Sequence, residues 1–334
     1  MQLPQLKQAF TSKAPNLSIS GRSAGSARRV LQKLGAAAFE TYAGRGIAGR
    51  HALNFGSMLG RPDSAAVIGS ADVVVLVGTE LGQTDLWRDD AGLSGKVLQI
   101  DIDPSGFHPA ADIAVVARAR AFFDHLDRLL ERHDAVAEWT EAEVRAARER
   151  WRQQVDAERP GILPVAEALR ACLPESTMIF SDMTQFAYSA AEVWTSAHPG
   201  LWHHPSGFGT LGYALPAAIG GCMARPGLPT LAVAGDYGFQ YTVQELGTAV
   251  ELGLPLPILV WDNGKLKEIE DSMVRAQIAP NAVVTRNPDF CRLAEAYGAA
   301  ATRPGSLDAL QADVAAAFAA DRPTLIHVTP ELGR

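Results

Sequence analysis

Cysteine and long apolar runs are scarce in this chain of 334 residues. Its cysteines, Cys172, Cys222 and Cys291, are scattered and form no CxxC pair, so the sequence offers neither a disulfide framework nor a zinc site. No apolar run approaches the roughly 20 residues that a membrane helix needs. The first ten residues lack the apolar core of a secretory signal. We therefore expect a cytoplasmic protein that contacts no membrane.

Positive charge is also in deficit. Lysine and arginine number 30 against 37 acidic residues, which gives a formal net charge of −7. This balance argues against nucleic acid as a partner. The hydrophobic content of 47% and the charged content of 20% are typical of a globular protein. At roughly 100–200 residues per domain, the length predicts two domains.

The most informative stretch runs from Leu231 to Glu268. Leu231–Ala234 is a short apolar run that predicts a buried strand, followed directly by Gly235 and Asp236. Thr242 and Glu245 have the spacing of a capping box at the start of a helix. A second apolar run then leads to Asn263. The whole stretch has about the length of one strand–helix–strand unit.

This arrangement favours a site for a divalent cation and a diphosphate. Asp236 and Asn263 each follow a predicted parallel strand, and ligands bind at the carboxyl ends of such strands. Mg²⁺ prefers oxygen ligands, which the two side chains and a backbone carbonyl after Asn263 would provide. Gly235 and Gly238 would let the backbone approach the diphosphate. Taken singly, each Gly/Asp/Asn segment is more simply a turn between strands.

Two motifs resemble those of the thiamine diphosphate-dependent, acetolactate-synthase-like family of 2-oxo-acid enzymes. One is Gly-Asp-Tyr-Gly-Phe from Gly235 followed by Asn263, and the other is the glycine-rich segment 207–220. The resemblance extends from about Ser18 onward, and its nearest members are the 5-guanidino-2-oxopentanoate decarboxylases. It implies an enzyme, a lyase or carboligase, that binds thiamine diphosphate and Mg²⁺ and acts on a small 2-oxo acid.

The resemblance also implies a role for individual residues. Asp236 and Asn263 would ligate Mg²⁺ through their side chains, and Lys265 would do so through its carbonyl. Leu211 would bend the coenzyme beneath its thiazolium ring. Beyond Asn263 the sequence departs from the family pattern, and there Glu268 could line the pocket and handle protons. The residues placed near the rest of the coenzyme are Thr184, Gln185, Phe186, Gly209, Leu211, Gly235, Tyr237 and Gly238.

The N-terminal half predicts a central Rossmann-like domain over residues 17–118, preceded by a linker or arm over residues 1–16. We expect a strand and a glycine-containing turn over residues 18–25, which opens a helix near 26–34. Apolar runs at Ala37–Thr41, Val73–Gly78 and Val97–Ile102 predict further strands. Their alternation with helices indicates a doubly wound, mostly parallel sheet.

Asp101 and Asp103 end one of these strands, where an acidic residue can meet a ribose. An Asp–Pro turn explains them equally well. The resemblance allows FAD or another nucleotide in this domain, and we expect no FAD here.

A charged, helical segment over residues 119–159 predicts a connection between the domains. The thiamine diphosphate domain would cover 160–334 and begin with a helix from Leu163 to Cys172. A strand at Met178–Phe180 would lead to Ser181 or Asp182 as a helix cap. We also predict helices at Asp289–Tyr297 and Ser306–Phe318, with a final strand at Pro323–Val328.

Members of the resembling family have a third, pyrimidine-binding domain that supplies a glutamate to the aminopyrimidine ring. No glutamate here takes its place, since Glu40 belongs to the central domain. Without that acid, ylide formation would lose a step typically worth about 10²–10⁴-fold. We therefore expect a split enzyme, in which this chain pairs with a separate pyrimidine-domain subunit as α₂β₂. A non-catalytic, cofactor-binding paralogue or a truncated polypeptide is the alternative.

Some residues near the predicted site remain open. Lys267 could attract a carboxylate, but a solvent-facing position at a helix start is the simpler interpretation, and for Glu268 the two interpretations are balanced. His203 or His204 could reach the substrate, although paired histidines in a loop are more often packing or surface residues.

Overall fold

The computed structural model describes residues 8–12, 17–132, 138–284 and 286–334. The chain divides into two compact units. The first contains the chain up to Gln154 together with Glu192–Gly200, and the second contains Val155–Ala191 and Leu201–Arg334. The boundary after Gln154 lies a few residues before the boundary predicted at Pro160. A short later segment, Glu192–Gly200, also belongs to the first unit.

The first unit is built on a six-stranded sheet. Its strands are β1 (Gln8–Ser12), β2 (Ala37–Phe39), β3 (Asn54–Gly56), β4 (Val73–Val77), β5 (Lys96–Asp101) and β6 (Ile113–Val116). They lie in the order β3-β2-β1-β4-β5-β6, and all neighbours pair in parallel. The helices are α1 (Leu17–Leu34), α2 (Ser64–Gly69), α3 (Gln83–Leu86), α4 (Ala119–Leu129) and α5 (Glu141–Glu158), with short 3-10 helices at Pro104–Gly106 and Leu130–Arg132. The predicted strands that correspond to β2, β4 and β5 are confirmed.

The N-terminal segment differs from its prediction in two places. Residues 8–12 form the strand β1 between β2 and β4 rather than part of an arm; the rest of the predicted arm, 1–7 and 13–16, lies outside the described residues. The strand and turn predicted over 18–25 are wrong, because α1 begins at Leu17. Its small residues Ala24 and Ala27 are buried with Val30 and Leu31. Packing of this face on the sheet therefore outweighs the weak helix preference of the Ser/Gly-rich sequence.

Aromatic residues from separate elements fill one core of the first unit. Phe39 of β2 stacks on Phe55 of β3 with ring centroids 4.6 Å apart, and Trp151 of α5 packs against both rings. Trp151 is fully buried. Part of the predicted connecting segment, through Val144, Ala147 and Trp151 of α5, thus belongs to this core.

The acidic residues singled out in the first unit are engaged locally. Asp101 accepts a hydrogen bond from the Asp103 amide, and Asp103 accepts one from the Ser105 amide. Of the two interpretations of these acids, a ribose contact or an Asp–Pro turn, the structure therefore shows the turn. Glu40 follows β2, is buried, and accepts a hydrogen bond from the Ala48 amide at 2.8 Å. Its burial raises its carboxyl pKa.

The second unit contains another six-stranded parallel sheet. Its strands are β7 (Met178–Ser181), β8 (Trp202–His203), β9 (Thr230–Gly235), β10 (Pro257–Trp261), β11 (Ala300–Thr302) and β12 (Thr324–Val328), in the order β11-β12-β10-β9-β7-β8. The helices are α6 (Leu163–Cys172), α7 (Gln185–Val193), α8 (Ala214–Ala224), α9 (Asp236–Tyr241), α10 (Glu245–Glu251), α11 (Lys267–Arg275), α12 (Phe290–Ala296) and α13 (Leu307–Phe318), with a 3-10 helix at Pro330–Gly333. The predicted α/β class with two doubly wound, parallel sheets is confirmed.

The capping box predicted at Thr242 and Glu245 is wrong. The Thr242 hydroxyl donates to the carbonyl of Gly212, 3.1 Å away, and Gln244 stands at the cap of α10 without a side-chain bond. The buried Gly212 carbonyl competes for the hydroxyl, because that loop packs directly on Thr242. Among the described residues, no helix has the length and apolarity to cross a membrane.

Candidate functional site

Three adjacent strands of the second unit end in polar residues at one edge of the sheet. Asp182 follows β7, Asp236 follows β9, and Asp262 and Asn263 follow β10. β9 lies between β7 and β10, and Gly235 is paired with Trp261 in the register. The predicted donors Asp236 and Asn263 therefore lie just beyond the ends of neighbouring strands, on the same edge of the sheet.

Asp236 is buried and held by several donors. Its Oδ1 accepts the Tyr237 amide at 3.0 Å, and its Oδ2 accepts the Asn287 side-chain amide at 2.7 Å. Burial raises the pKa of this carboxyl, while these hydrogen bonds and the nearby Gly264 amide act in the opposite direction. The Tyr237 amide already donates its hydrogen to Asp236. To contact phosphate as predicted, this N–H would have to share that hydrogen between Asp236 and a phosphate oxygen.

Asn263 and Lys265 belong to a tight turn. Gly264 between them has φ +67°, and the Asn263 Oδ1 accepts the Lys265 amide at 3.1 Å. Lys265 Nζ pairs with Glu270, 2.9 Å away. The lysine side chain is thus directed to α11, and its backbone is the part that remains for a metal.

The segment 207–213 follows β8. Gly209 and Gly212 have φ +69° and +83°, which only glycine adopts easily. They flank the half-buried Leu211 and so set the direction of the peptide groups on either side of it. A Cβ on Gly209 would lie 3.6 Å from Met183 Cε.

Asp182 is a site residue that the sequence analysis treated only as a helix cap. Its carboxylate accepts the amides of Gly212 at 3.1 Å and Tyr213 at 2.8 Å, so it anchors the loop from β8 rather than its own helix. A Cβ on Gly238 would approach Asp182 Oδ2 to 2.2 Å. Burial raises the pKa of Asp182. The signal available in the sequence was an acid placed directly after the short apolar run Met178–Phe180 and Ser181.

The predicted coenzyme residues after β7 have different environments. Thr184 lies against Gly235, since a Cβ added there would be 3.2 Å from the threonine side chain. Gln185 donates to Glu268 and to Asp271 at 3.1 and 3.2 Å. Phe186 is buried against Trp261, so only its backbone remains for a ligand.

Glu268 lies in a network of charged side chains beside this edge. Arg159 contacts its Oε2 at 3.0 Å, and Arg275 contacts its Oε1 at 3.5 Å. Lys267 is the first residue of α11, where it pairs with Asp271 and Glu270 and keeps a side chain that is 38% exposed. This placement agrees with the solvent-facing interpretation at a helix start. Tyr188 lies near Glu268 and Arg159, and burial raises its pKa to about 12.

A cavity of about 710 Å³ opens between these charged side chains and the end of β10. Its walls include Gln185, Asn263, Lys265, Glu268 and Arg159. The predicted metal turn and the predicted catalytic glutamate therefore border one space that is large enough for a small organic acid.

The paired histidines take packing positions. The His203 ring stacks on Phe180 at 4.7 Å, and His204 Nδ1 lies 2.9 Å from the Ser181 hydroxyl. The packing interpretation therefore describes His203, and His204 is tied to the end of β7.

Asn287 and His327 were not singled out from the sequence. Asn287 donates to both Asp236 and Asp262, and His327 contacts Asp262 Oδ2 at 2.9 Å. Asn287 lies just before α12, remote in sequence from both carboxylates. No local pattern marks it.

The donors at this edge fit a hard divalent cation. A buried carboxylate, an amide oxygen and backbone carbonyls present only oxygen, which is the ligand set that Mg²⁺ takes together with phosphate oxygens. The glycines at 235 and 238 stand where side chains would collide with Thr184 and Asp182. The absent side chains of these glycines thus let the segments after β7 and β9 pack closely at this edge.

Comparison with known proteins agrees with this fold. Residues 18–126 match the family model described as "Thiamine pyrophosphate enzyme, central domain". Residues 182–328 match the one described as "Thiamine pyrophosphate enzyme, C-terminal TPP binding domain". The chain belongs to the thiamine pyrophosphate enzymes, of which it contains the central and the coenzyme-binding domains.

Similar individual proteins include decarboxylases and synthases. The chain is 39% identical over 313 residues to the Pseudomonas aeruginosa protein named "Probable 2-ketoarginine decarboxylase AruI", covering 92% of this chain and 56% of that protein. It is 31% identical over 266 residues to the acetolactate synthase isozyme 3 large subunit of Escherichia coli, covering 75% and 46%. The chain thus spans about half the length of these curated relatives.

A solved structure shows the same fold. The thiamine diphosphate-dependent 4-hydroxybenzoylformate decarboxylase of Rhodococcus jostii RHA1 superimposes with a TM-score of 0.75 at 19% identity. The match covers 97% of this chain and 61% of that chain.

Proposed function

We propose that this chain binds thiamine diphosphate with Mg²⁺ and, in a complex, catalyses decarboxylation or carboligation of a 2-oxo acid. The observation that carries the proposal is that Asp236 and Asn263 follow the paired, neighbouring strands β9 and β10 at the same end of the sheet. Their side-chain oxygens and the Lys265 carbonyl would hold the metal. The metal would offset the charge of the diphosphate.

Bound thiamine diphosphate would supply a nucleophilic carbon that adds to the carbonyl of a 2-oxo acid. The chain's own residues would bind and orient it. Leu211 would support the bent coenzyme, and Gly209 would present its carbonyl to the aminopyrimidine. Thr184, Gln185 and the Phe186 backbone would border the diphosphate, with Gly235, Tyr237 and Gly238 on its other side.

The cavity beside Glu268 favours a substrate with a polar or charged tail. Glu268 already holds one guanidinium group, that of Arg159, and the Arg159 guanidinium lies 5.9 Å from the Tyr188 ring centre. A carboxylate and an aromatic ring form a suitable receptor for a guanidinium. Together with the name of the Pseudomonas relative, this makes 2-ketoarginine the first substrate to test.

The catalytic glutamate of the pyrimidine domain would come from a separate subunit, in an α₂β₂ complex located in the cytoplasm. Several large apolar side chains are exposed in segments that follow the strand ends: Phe208, Tyr241, Ile269, Val274, Ile278 and Val284. Exposed apolar surface around a polar site is typical of a face that another domain covers.

A cofactor-binding protein without chemistry, whether a paralogue or a truncated polypeptide, is the alternative. The pairing of Glu268 with Arg159 and Arg275 favours it, since these arginines already engage both oxygens of the proposed catalytic carboxylate. Turnover of any 2-oxo acid by the complex would exclude it.

The test is to purify the chain alone and together with a candidate pyrimidine-domain protein. Coenzyme binding is titrated calorimetrically with Mg²⁺, and CO₂ release is measured from a 2-oxo-acid panel that includes 2-ketoarginine. We expect binding to the complex and activity only in the pair. Equal activity of the lone chain would disprove the separate-subunit proposal.

The metal assignment is tested by Asp236→Ala. We expect it to abolish Mg²⁺-dependent coenzyme affinity, whereas Asp321→Ala, which removes an exposed carboxylate before β12, should leave the affinity unchanged. Unchanged affinity in Asp236→Ala would place the ion elsewhere.

A further inference from the structure

Asn287 occupies the space between two carboxylates at the strand ends. Its Nδ2 lies 2.7 Å from Asp236 Oδ2 and 2.7 Å from Asp262 Oδ1. An amide nitrogen carries two hydrogens, and here each hydrogen serves one carboxylate. Asn287 thus ties the residue after β9 to the residue after β10.

The orientation of this amide is determined by a third side chain. Gln240 of α9 donates from Nε2 to Asn287 Oδ1 at 3.2 Å, and also to the Asp236 carbonyl at 3.0 Å. Because Oδ1 receives a donor and Nδ2 faces two acceptors, a flipped amide would lose all three contacts. The nitrogen therefore faces the carboxylates.

Asp262 is itself held firmly. His327 Nδ1 accepts from Arg303 Nε at 2.9 Å, so Nε2 carries the imidazole proton and donates it to Asp262 Oδ2. The Gly264 amide donates to Asp262 Oδ1 at 3.0 Å. Asp262 is thus a fixed anchor directly before Asn263, and through Asn287 it fixes Asp236 as well.

The orientation of the Asp236 carboxylate follows from this arrangement. Asn287 engages Oδ2, the Tyr237 amide engages Oδ1, and the Gly264 amide is a further donor to this carboxylate. A carboxylate has about four lone-pair sites, so these three donors leave one for a cation. Rotation of the carboxylate would break the bond to Asn287.

We propose that Asn287 is a positioning residue for the metal centre, holding Asp236 and the Asn263 turn in the relative geometry that a divalent cation requires. The inference rests on the proposed function, because it takes Asp236 and Asn263 as the ligands. Hydrogen-bonded partners of metal ligands typically contribute about 10–100-fold to metal affinity.

The test is a Mn²⁺ titration of the full chain, with its partner where binding needs one, followed by electron paramagnetic resonance in saturating thiamine diphosphate. Asn287→Ala is expected to weaken Mn²⁺ binding by about 10–100-fold and to broaden the bound signal. Asn287→Ser keeps one donor and should give an intermediate loss. Asn281→Ala is the matched control, since this exposed asparagine lies in the same segment, and it should bind as wild type does.

The outcomes separate this inference from the proposed function. If wild type fails to bind Mn²⁺ with the coenzyme, or if Asp236→Ala binds as well as wild type, the proposed metal site is wrong. If Asp236→Ala loses binding but Asn287→Ala matches Asn281→Ala, the role of Asn287 alone is disproved.

A purely structural role predicts a different result. It would lower the thermal midpoint of the coenzyme-free chain without changing the Mn²⁺ affinity of the folded fraction, and that result would overturn the inference. Should Asn287→Ala not fold, Gln240→Ala decides together with Asn287→Ser. Gln240 is exposed, and unchanged Mn²⁺ affinity in both variants would equally overturn it.

Discussion

At the residue scale, glycine and aspartate determine how closely the segments after β7, β8 and β9 approach one another. Asp182 binds two amides of the loop that follows β8. Gly238 leaves the space that the Asp182 carboxylate occupies. The missing side chain of Gly238 and the charged side chain of Asp182 thus together allow these segments to pack closely.

Replacing Gly238 by alanine should destabilise the second unit. The added Cβ would lie 2.2 Å from Asp182 Oδ2, so the carboxylate must move and lose hydrogen bonds, each worth about 1–3 kcal/mol when a buried partner is left unsatisfied. We expect a lower midpoint in chemical denaturation and weaker coenzyme binding.

Gly220→Ala is the matched control. Gly220 lies in α8 with no atom within 4 Å of an added Cβ, and alanine there should raise stability by about 0.5–1 kcal/mol. Equal behaviour of the two variants would show that the close approach at Gly238 is not what matters.

His51 predicts a pH dependence in the first unit. Its Nε2 contacts the Ala36 carbonyl at 2.8 Å, and burial lowers its pKa from 6.5. Since the folded pKa lies below the unfolded one, its contribution is complete above pH 6.5 and is lost as the pH falls through the lowered value. We expect His51→Gln, which keeps a donor but cannot titrate, to lose less unfolding free energy than wild type between pH 7.5 and 5.5. Parallel denaturation curves at both pH values would contradict this.

At the element scale, α11 is attached to its surroundings by charge. Gln185 of α7 and Arg159 at the end of α5 both bind Glu268 in its first turn. Its apolar side chains Ile269 and Val274 are exposed. Ionic contacts, more than apolar burial, therefore hold this helix in the lone chain.

Glu268→Gln should loosen α11. Partly exposed ion pairs contribute about 0.2–1 kcal/mol each and are screened by salt, so amide hydrogen exchange in α11 should quicken by up to about fivefold. The difference from wild type should shrink at high salt. Glu251→Gln, at the exposed end of α10, is the control. If it accelerated amide exchange in α11 as much as Glu268→Gln does, a specific attachment through Glu268 would be ruled out.

The elements that the sequence identified are those with a strong local pattern. β4, β5, β9 and β10 are apolar runs bounded by turn residues, and α6 opens with a proline at its first turn. The sequence analysis missed β1, β3, β6, β8 and β11. Of these, β3, β8 and β11 have only two or three residues, too few to show a periodicity of their own. The second half of α1 was predicted, near residues 26–34. Its first half was missed because that part of the sequence is rich in serine and glycine, which have weak helix preference.

At the scale of the whole molecule, the strand-end face of the second unit carries exposed apolar side chains where the proposed pyrimidine-domain partner would bind. Phe208 is 94% exposed in the loop that carries Gly209 and Leu211. Met223 is exposed at the far end of α8, which leads back to the start of β9 at the opposite edge of the sheet. Phe208 and Met223 therefore offer a matched pair of substitution sites. Phe208 lies on the face proposed to bind the partner, and Met223 lies at the opposite edge of the sheet.

Phe208→Ser should weaken association with a pyrimidine-domain partner by about tenfold or more, as expected for an aromatic side chain at the centre of an interface. The stability of the lone chain should not change, because the ring is exposed. Met223→Ser should leave the association unchanged. The dissociation constants are measured by calorimetry or sedimentation, and equal values for both variants would exclude this face.

Local chemistry alone determined the class of fold, the two coenzyme motifs and the placement of Asp236 and Asn263 after separate strands. These features depend on residues close in sequence, where apolar runs, glycines and acids act through the backbone next to them. Only the tertiary structure decided that Asp182 anchors the loop of Leu211, that Glu268 meets Arg159, and that Asn287 joins two carboxylates. Such contacts link residues far apart in the chain, and they arise only once the parallel sheet has brought its strand ends to one edge.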